Sequence, residues 1–191
     1  MDKKYKEIEI ELKGEGEGLM MHSAQGMMLE PTAKKNPAKQ YDQTEEAEKV
    51  CYRNKEGFLY VPCRCVKGSM LNAASWYKFG KKSAKPILAG GTRLEPSEIL
   101  LLDSKGKKIK NYEIDLRPVV VMRARIIRAR PLIKTWRMKF KIIYNSELIQ
   151  DTNIIRAVLE EAGDRVGLLD NRPQKLGENG MFSVVKFLPK K

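Results

Sequence analysis

The sequence is poor in several residue types on which enzymes and secreted scaffolds depend. Of its 191 residues only three are Cys and one is His. Three is an odd, sparse number that does not make a disulfide framework and suits a reducing compartment. Cys51, Cys63 and Cys65 together with His22 would make four zinc ligands, but their spacing matches no familiar finger. Reduced thiols and no metal are the expectation. No apolar run reaches the roughly 18–20 residues that span a bilayer. The opening MDKKYKEIEIEL lacks an apolar signal core, so a cytoplasmic protein without a membrane partner is expected. There is no Walker loop, paired-carboxylate signature or nucleophile elbow. Gly14-x-Gly16-x-Gly18 is no dinucleotide loop, because Glu15 and Glu17 repel phosphate and no helix follows directly. No cofactor is expected.

Acids are also scarce relative to bases. Lys and Arg number 37 against 24 Asp and Glu, a formal net charge of +13. Such a charge favours polyanions, nucleic acid first. The imbalance is sharpest over residues 117–145, which hold nine cations and no acid. The same stretch is rich in Val, Ile, Trp, Phe and Tyr, which suit strands. From Trp136 the chain alternates: Trp136, Met138, Phe140, Ile142 and Tyr144 share one face, and Arg137, Lys139 and Lys141 share the other. Upstream the parity breaks at Ile126-Ile127, which predicts a bulge or turn there. Two strands are expected, at about 118–127 and 135–144, joined by a bent basic connector.

Elsewhere, residues 5–13 alternate with Ile8, Ile10 and Leu12 on one face and Glu7, Glu9 and Glu11 on the other. Residues 19–57 read as an insertion with a short helix capped by Thr44. Residues 66–79 carry a helical stripe ended by Gly80, and 81–97 read as a loop rich in Lys, Gly and Pro. Residues 99–102 and 109–116 flank a Ser104–Lys107 turn. A second helix follows Asp151 or Thr152 and stops at Gly163, and a glycine-containing loop leads to a last strand at 181–188. Without insertions at 19–57 and 81–116, the order is βαββαβ. That order is the α+β, ferredoxin-like plan also used by RNA-recognition (RRM-like) domains, here a single domain with inserted loops and β-hairpins. On it Glu7, Glu9 and Glu11 lie beside Arg137, Lys139 and Lys141, and cross-strand pairing is as good a use for those cations as a ligand. Arg123, Arg125, Arg128, Arg130 and Lys134 have no local counter-charge and are the phosphate-binding candidates. The aromatics lie on the apolar face, so base stacking on the sheet is not expected.

One further segment matters. A strand ends at Val61-Pro62, and Lys67-Gly68 opens a helix, where free N–H groups and a close backbone approach favour phosphate. The spacing of Val61, Pro62, Lys67, Gly68 and Met70 resembles the RAMP superfamily of CRISPR systems, especially the backbone subunits that coat guide RNA. Cys63, Arg64 and Cys65 stand where that family has small residues. Gly167, Arg172, Gly177 and Gly180 resemble its second mark, a glycine-rich loop before the last strand. The resemblance implies a ferredoxin-like palm, with residues 33–47 or the 123–134 connector as a thumb. It implies assembly along single-stranded RNA as a homo-oligomer or multi-subunit ribonucleoprotein, with Lys67 and Gly68 near the RNA backbone. Arg137, from the basic strand, and Arg172, from the loop, are further nucleic-acid-binding candidates. A single-stranded DNA-binding or annealing protein is the alternative. A metal-independent ribonuclease is the other, since related nucleases use a histidine as acid or base and some backbone subunits use an aspartate. His22 and Asp42 are the residues to which catalysis would fall, though binding without catalysis is preferred.

Overall fold

The computed structural model describes residues 4–23, 42–121 and 123–190. Most of the loop expected within 19–57, and part of the 33–47 segment, lie outside them. The described chain is an antiparallel α+β arrangement.

Its centre is a six-stranded sheet, ordered β11-β1-β10-β7-β3, with β6 also paired to β10. β1 (Tyr5–Gly14) and β10 (Arg137–Asn145) run antiparallel through nine registered pairs, from Tyr5 opposite Asn145 to Lys13 opposite Arg137. The alternation in each strand dictates this: Ile8, Ile10, Leu12, Met138, Phe140 and Ile142 are all buried on one face, under the helices. Each such side chain contributes about 1.5–3 kcal/mol on burial, and a slip of one residue would turn all of them to water. β11 (Phe182–Pro189) pairs with the other edge of β1. β6 (Thr92–Glu95) and β7 (Glu98–Leu102) follow one another along β10, and β3 (Tyr60–Pro62) pairs with β7.

Two helices cover the buried face. α2 (Cys63–Ala73) contributes Val66, Met70 and Ala73, and α4 (Asn153–Glu161) contributes Ile155, Val158 and Leu159. α2 starts three residues before the expected position and ends at Ala73, followed by a 3-10 turn, Ala74–Trp76. Gly80, at φ 57°, does not end this helix. It turns the two-stranded ribbon of β4 (Lys78–Phe79) and β5 (Lys82–Ser83). Gly163 does not stop α4 either, for a π turn, Ala162–Val166, continues it. Gly163 is required for another reason: a Cβ there would stand 1.9 Å from the Phe182 carbonyl oxygen, so helix and last strand meet backbone to backbone.

Residues 81–97 are not a loop. They hold β5, the helix α3 (Ala84–Gly91), whose Ala84 and Leu88 are buried, and β6. The turn after β7 forms as expected, with Asp103 Oδ1 accepting from the Lys105 and Lys107 amides at 2.8 Å each. The chain beyond it makes only a single bridge back, Leu102 to Lys108.

It instead enters a second sheet, ordered β2-β9-β8. β8 (Glu113–Val121) and β9 (Ala124–Ile133) form a long hairpin of nine pairs, and β2 (Leu19–Met20) pairs with the far end of β9. The expected bend at Ile126-Ile127 is therefore misplaced. Those residues lie within β9, and the chain reverses around Arg123, at φ 70°. No bulge marks the parity break: β9 runs straight through it, with Arg125 and Ile127 on one face and Ile126, Arg128 and Arg130 on the other. α1 (Gln43–Lys49) packs on β9, and its cap is Asp42, not Thr44: Asp42 Oδ1 accepts from the Thr44 amide at 2.8 Å.

Candidate nucleic-acid interface

The β8–β9 register sorts the basic connector into two faces. Asp115, Arg117, Arg128 and Arg130 lie on one, since Asp115 is opposite Arg130 and Arg117 opposite Arg128. This face is neutralised. Arg117 meets Asp115 at 2.9 Å and Glu17 at 3.3 Å, and Arg128 meets Glu46 at 2.6 Å. Arg130 meets Asp170 at 3.2 Å. Arg128 and Arg130 therefore do have counter-charges, contrary to expectation, because Glu46 and Asp170 arrive from α1 and the glycine-containing loop. Lys134 is exposed and stands 4.0 Å from Glu113.

The opposite face is different. Arg125 pairs across the hairpin with Val120, beside Ile127 and Leu116. Val120 is 69% exposed, Ile127 60% and Leu116 44%. Arg123 at the turn and Arg125 are exposed, with no ion pair among the described residues. The hairpin thus ends in two unneutralised guanidiniums above a strip of exposed aliphatic side chains. Guanidiniums suit phosphate, which they bind in bidentate fashion.

The open face of the central sheet is a lattice of ion pairs. Arg137 and Lys139 meet Glu11 at 3.2 and 3.6 Å, and Lys141 meets Glu7 at 3.3 Å. Glu9 turns to β11 and the chain end, meeting Lys186 at 2.9 Å and Lys190 at 3.0 Å. Hydrogen bonds from Lys186 and then Lys190 hold its carboxyl down to about 2. A concavity of about 620 Å³ on this face is lined by Glu9, Glu11, Glu95, Lys139, Lys141 and Lys186 over Ile10, Phe140 and Pro96. Charge is balanced there, and Phe140 is buried, so this face offers neither a phosphate track nor a stacking surface. Arg137, a candidate from sequence, belongs to this lattice.

On the helical side, Lys67 and Gly68 do not open a helix; they lie within α2. Lys67 Nζ donates to the Ala89 and Thr92 carbonyl oxygens at 2.9 and 2.7 Å, which ties α2 to the end of α3. Gly68 has open space where a Cβ would point. One position on, the buried Ser69 hydroxyl donates to the Gly167 carbonyl at 2.8 Å, and Asn72 reaches Gln174 at 3.5 Å. The structure thus sets the half-buried Gly68, with open space on its Cβ side, beside the glycine-containing loop. Arg172 shapes that loop, donating to the Leu169 carbonyl at 2.8 Å and to Gln174 Oε1 at 3.0 Å.

His22 follows β2, half-buried, with its Nδ1 buried and unpartnered among the described residues. Burial lowers its pKa, nearby Asp170 opposes this, and Arg130, Arg128 and Lys175 add to it. Asp42 is remote in role, a helix cap. Among the described residues no group of three His, Cys, Asp or Glu stands close enough to hold a metal ion. Cys51, Cys63 and Cys65 are free thiols, and burial pushes Cys51 up to about 12. No described helix is long and apolar enough to cross a membrane.

The counter-ions Glu17, Glu46 and Asp170 were missed because they lie far from the hairpin in sequence. A run without acid was visible between Leu71 and Leu94, where Lys78, Lys81, Lys82 and Lys85 all prove exposed.

The fold and site define an antiparallel α+β protein with a long hairpin whose tip carries exposed, unneutralised arginines. No protein-family model matches the chain, and no curated protein matches it. Among solved structures it is similar to a chain of the cryo-EM structure of the Type III-B Cmr-beta bound to cognate target RNA, with a TM-score of 0.59 and 14% sequence identity. The match covers 98% of this chain and 61% of that one. The likeness is one of fold.

Proposed function

We propose that this chain is a RAMP-like, CRISPR-associated protein that binds single-stranded RNA, a guide RNA, as one of several subunits assembled along it. The observation that carries the reading is the shared fold over 98% of the chain with a chain of an RNA-bound Type III-B complex. Three features support it. The strand order β11-β1-β10-β6/β7, with α2 and α4 on one face, matches a ferredoxin-like palm with last, first, third and second strands side by side. The insertion at 19–57 elaborates this one domain. Residues 81–116 supply the palm's second strand as β6 and β7, in place of the 118–127 strand expected from sequence, and the β8–β9 hairpin that follows serves as the thumb. Arg123 and Arg125 at its tip bind phosphate, while the half-buried Gly68, open on its Cβ side, and the Arg172-braced loop line the palm's RNA track. Lys67 positions that track through α3 instead of touching phosphate. Arg128, Arg130 and Arg137 shape the scaffold through their ion pairs, and Lys134 extends the hairpin's positive field.

The test is single-stranded RNA binding over a salt series, for the wild type and for Arg123→Ala/Arg125→Ala. Single-strand binding loses about 0.7 in log–log salt slope for each phosphate contact removed, so the double variant is expected to bind more weakly with a slope shallower by about 1.4. A wild type that binds no RNA overturns the reading. Preference for DNA in direct competition replaces it with the single-stranded DNA-binding alternative. A ribonuclease reading draws on one observation, the half-buried His22, whose lowered pKa leaves the imidazole unprotonated and free to accept a proton. It requires cleavage of RNA that His22→Ala abolishes.

A further inference from the structure

We infer that Trp76 and the β4–β5 ribbon form a second contact for single-stranded nucleic acid, on the helical side of the molecule. Trp76 stacks on a base there, and Lys78, Lys81, Lys82 and Lys85 hold the adjoining phosphates. The inference rests on the RNA-binding reading and extends it to a surface that reading does not use.

The sequence supplies the charge. Between Leu71 and Leu94 there is no acid, and four lysines fall within eight residues, 78–85. All four are exposed, and none makes an ion pair among the described residues. Cations elsewhere are treated differently: those of the sheet face and the inner hairpin face are matched by Glu7, Glu9, Glu11, Glu46 and Asp170. Lysines left unneutralised, like Arg123 and Arg125, raise the local positive field that attracts a polyanion.

The structure supplies the aromatic. The chain has two tryptophans. Trp136 is fully buried, whereas Trp76 is 54% exposed. Trp76 ends the 3-10 turn after α2, two residues before the first lysine of the ribbon. The Arg165 guanidinium stands 5.7 Å from its ring centroid, itself held by Glu161 at 2.7 Å. The nearby acids are thus engaged, Glu161 by Arg165 and Glu160 by Arg156 at 2.9 Å. The mount is firm. Phe79 pairs across the ribbon with Lys82, the Ala84 amide donates to the Tyr77 carbonyl at 2.9 Å, and the Tyr77 hydroxyl donates to the Ala157 carbonyl at 3.3 Å. A cationic track with an exposed, held aromatic beside it is the arrangement that binds single strands without reading sequence. An acidic protein would satisfy the lysines but gives no use to the exposed indole.

The two tryptophans make the test direct, because Trp76 alone is placed to report on a ligand at the surface. Oligouridine of 20 nucleotides is titrated into the wild type, Trp76→Ala and Lys78→Ala/Lys81→Ala/Lys82→Ala, following emission and affinity in parallel over a salt series. Oligouridine is expected to quench the wild type and to leave the residual Trp136 emission of Trp76→Ala unchanged. Trp76→Ala is expected to bind on the order of tenfold more weakly, and the triple variant to lose about 2 from the salt slope. Heparin, a polyanion without bases, is expected to compete without quenching. Equal quenching by oligothymidine supports the site as one for single strands of either sugar. Wild-type binding with unchanged emission and unaltered variants overturns the site while leaving the hairpin reading intact. Quenching by heparin equal to that by oligouridine overturns stacking. A wild type that binds no single strand overturns both, and only that result reaches the reading beneath.

Discussion

Lys67 and His22 show how a single residue's role depends on neighbours the sequence does not name. Lys67 has the spacing of a phosphate ligand, yet its ammonium is spent on the Ala89 and Thr92 carbonyls. Those oxygens sit at the end of α3, where carbonyls lack helical partners and a cation is favourable. Lys67→Met is expected to cost about 1–2 kcal/mol of stability, seen as a lower midpoint in thermal or urea unfolding. At temperatures where the variant stays folded, its salt slope for RNA should equal that of the wild type. A slope lowered by about 0.7 would return Lys67 to the phosphate contacts. His22 carries a pH signature. Its pKa is lowered in the folded protein, first by burial, against the field of Asp170 and with those of Arg130, Arg128 and Lys175. The unfolded chain then binds a proton near pH 6.5 that the folded chain still refuses. Stability should therefore be flat above about pH 6.5 and fall as pH drops below it. His22→Gln should remove that part of the slope, as unfolding midpoints across pH 5–8 would show.

At the scale of elements, legibility followed whether one face of the element is buried. β1 and β10 alternate because one face meets α2 and α4 and the other meets water. Their pairing and even their ion pairs could be read directly, as the contacts of Arg137, Lys139 and Lys141 with Glu11 and Glu7 show. The hairpin β8–β9 could not. Its turn around Arg123 has no Gly, Asn or Asp to announce a left-handed residue, and both of its faces carry Arg and aliphatic residues. α3 was hidden for a related reason: Lys85, Pro86, Gly90 and Gly91 read as a loop, and it is the inward packing of Ala84, Leu88 and Gly91 that makes it a helix. Gly163 looked like a stop because close packing on Phe182 leaves no trace in its neighbours. The hairpin's two faces should separate in experiment. Arg128→Ala breaks the contact with Glu46, which also accepts from the Ala129 amide at 2.9 Å. It should lower stability by about 1–3 kcal/mol and change RNA affinity little. Arg123→Ala, at an exposed turn, should leave unfolding within about 0.5 kcal/mol of wild type and weaken RNA. Reversal of that pattern would mean the buried face, not the tip, meets the ligand.

For the molecule as a whole, the question is whether its +13 charge acts as one diffuse field or through particular unpaired cations. Net charge alone would attract a polyanion to any basic surface, and every lost cation would then weaken binding alike. The ion-pair map argues otherwise. Lys139 and Lys141 each have a glutamate within 3.6 Å. A phosphate approaching them meets Glu7, Glu9 and Glu11 as well, so little counterion is left for it to release. Arg123 and Arg125 carry no such partners among the described residues. Lys139→Gln/Lys141→Gln and Arg123→Gln/Arg125→Gln remove the same two positive charges, which makes them a matched pair. The arginine variant should lose affinity and about 1.4 of salt slope for single-stranded RNA, and the lysine variant close to none. The lysine variant frees Glu7 and Glu11 from ion pairs that are exposed on the sheet face, which should cost it at most about 1 kcal/mol of stability. Equal losses of affinity in the two variants would show that the field acts as a whole, and that neither the hairpin nor the sheet face is a site in its own right.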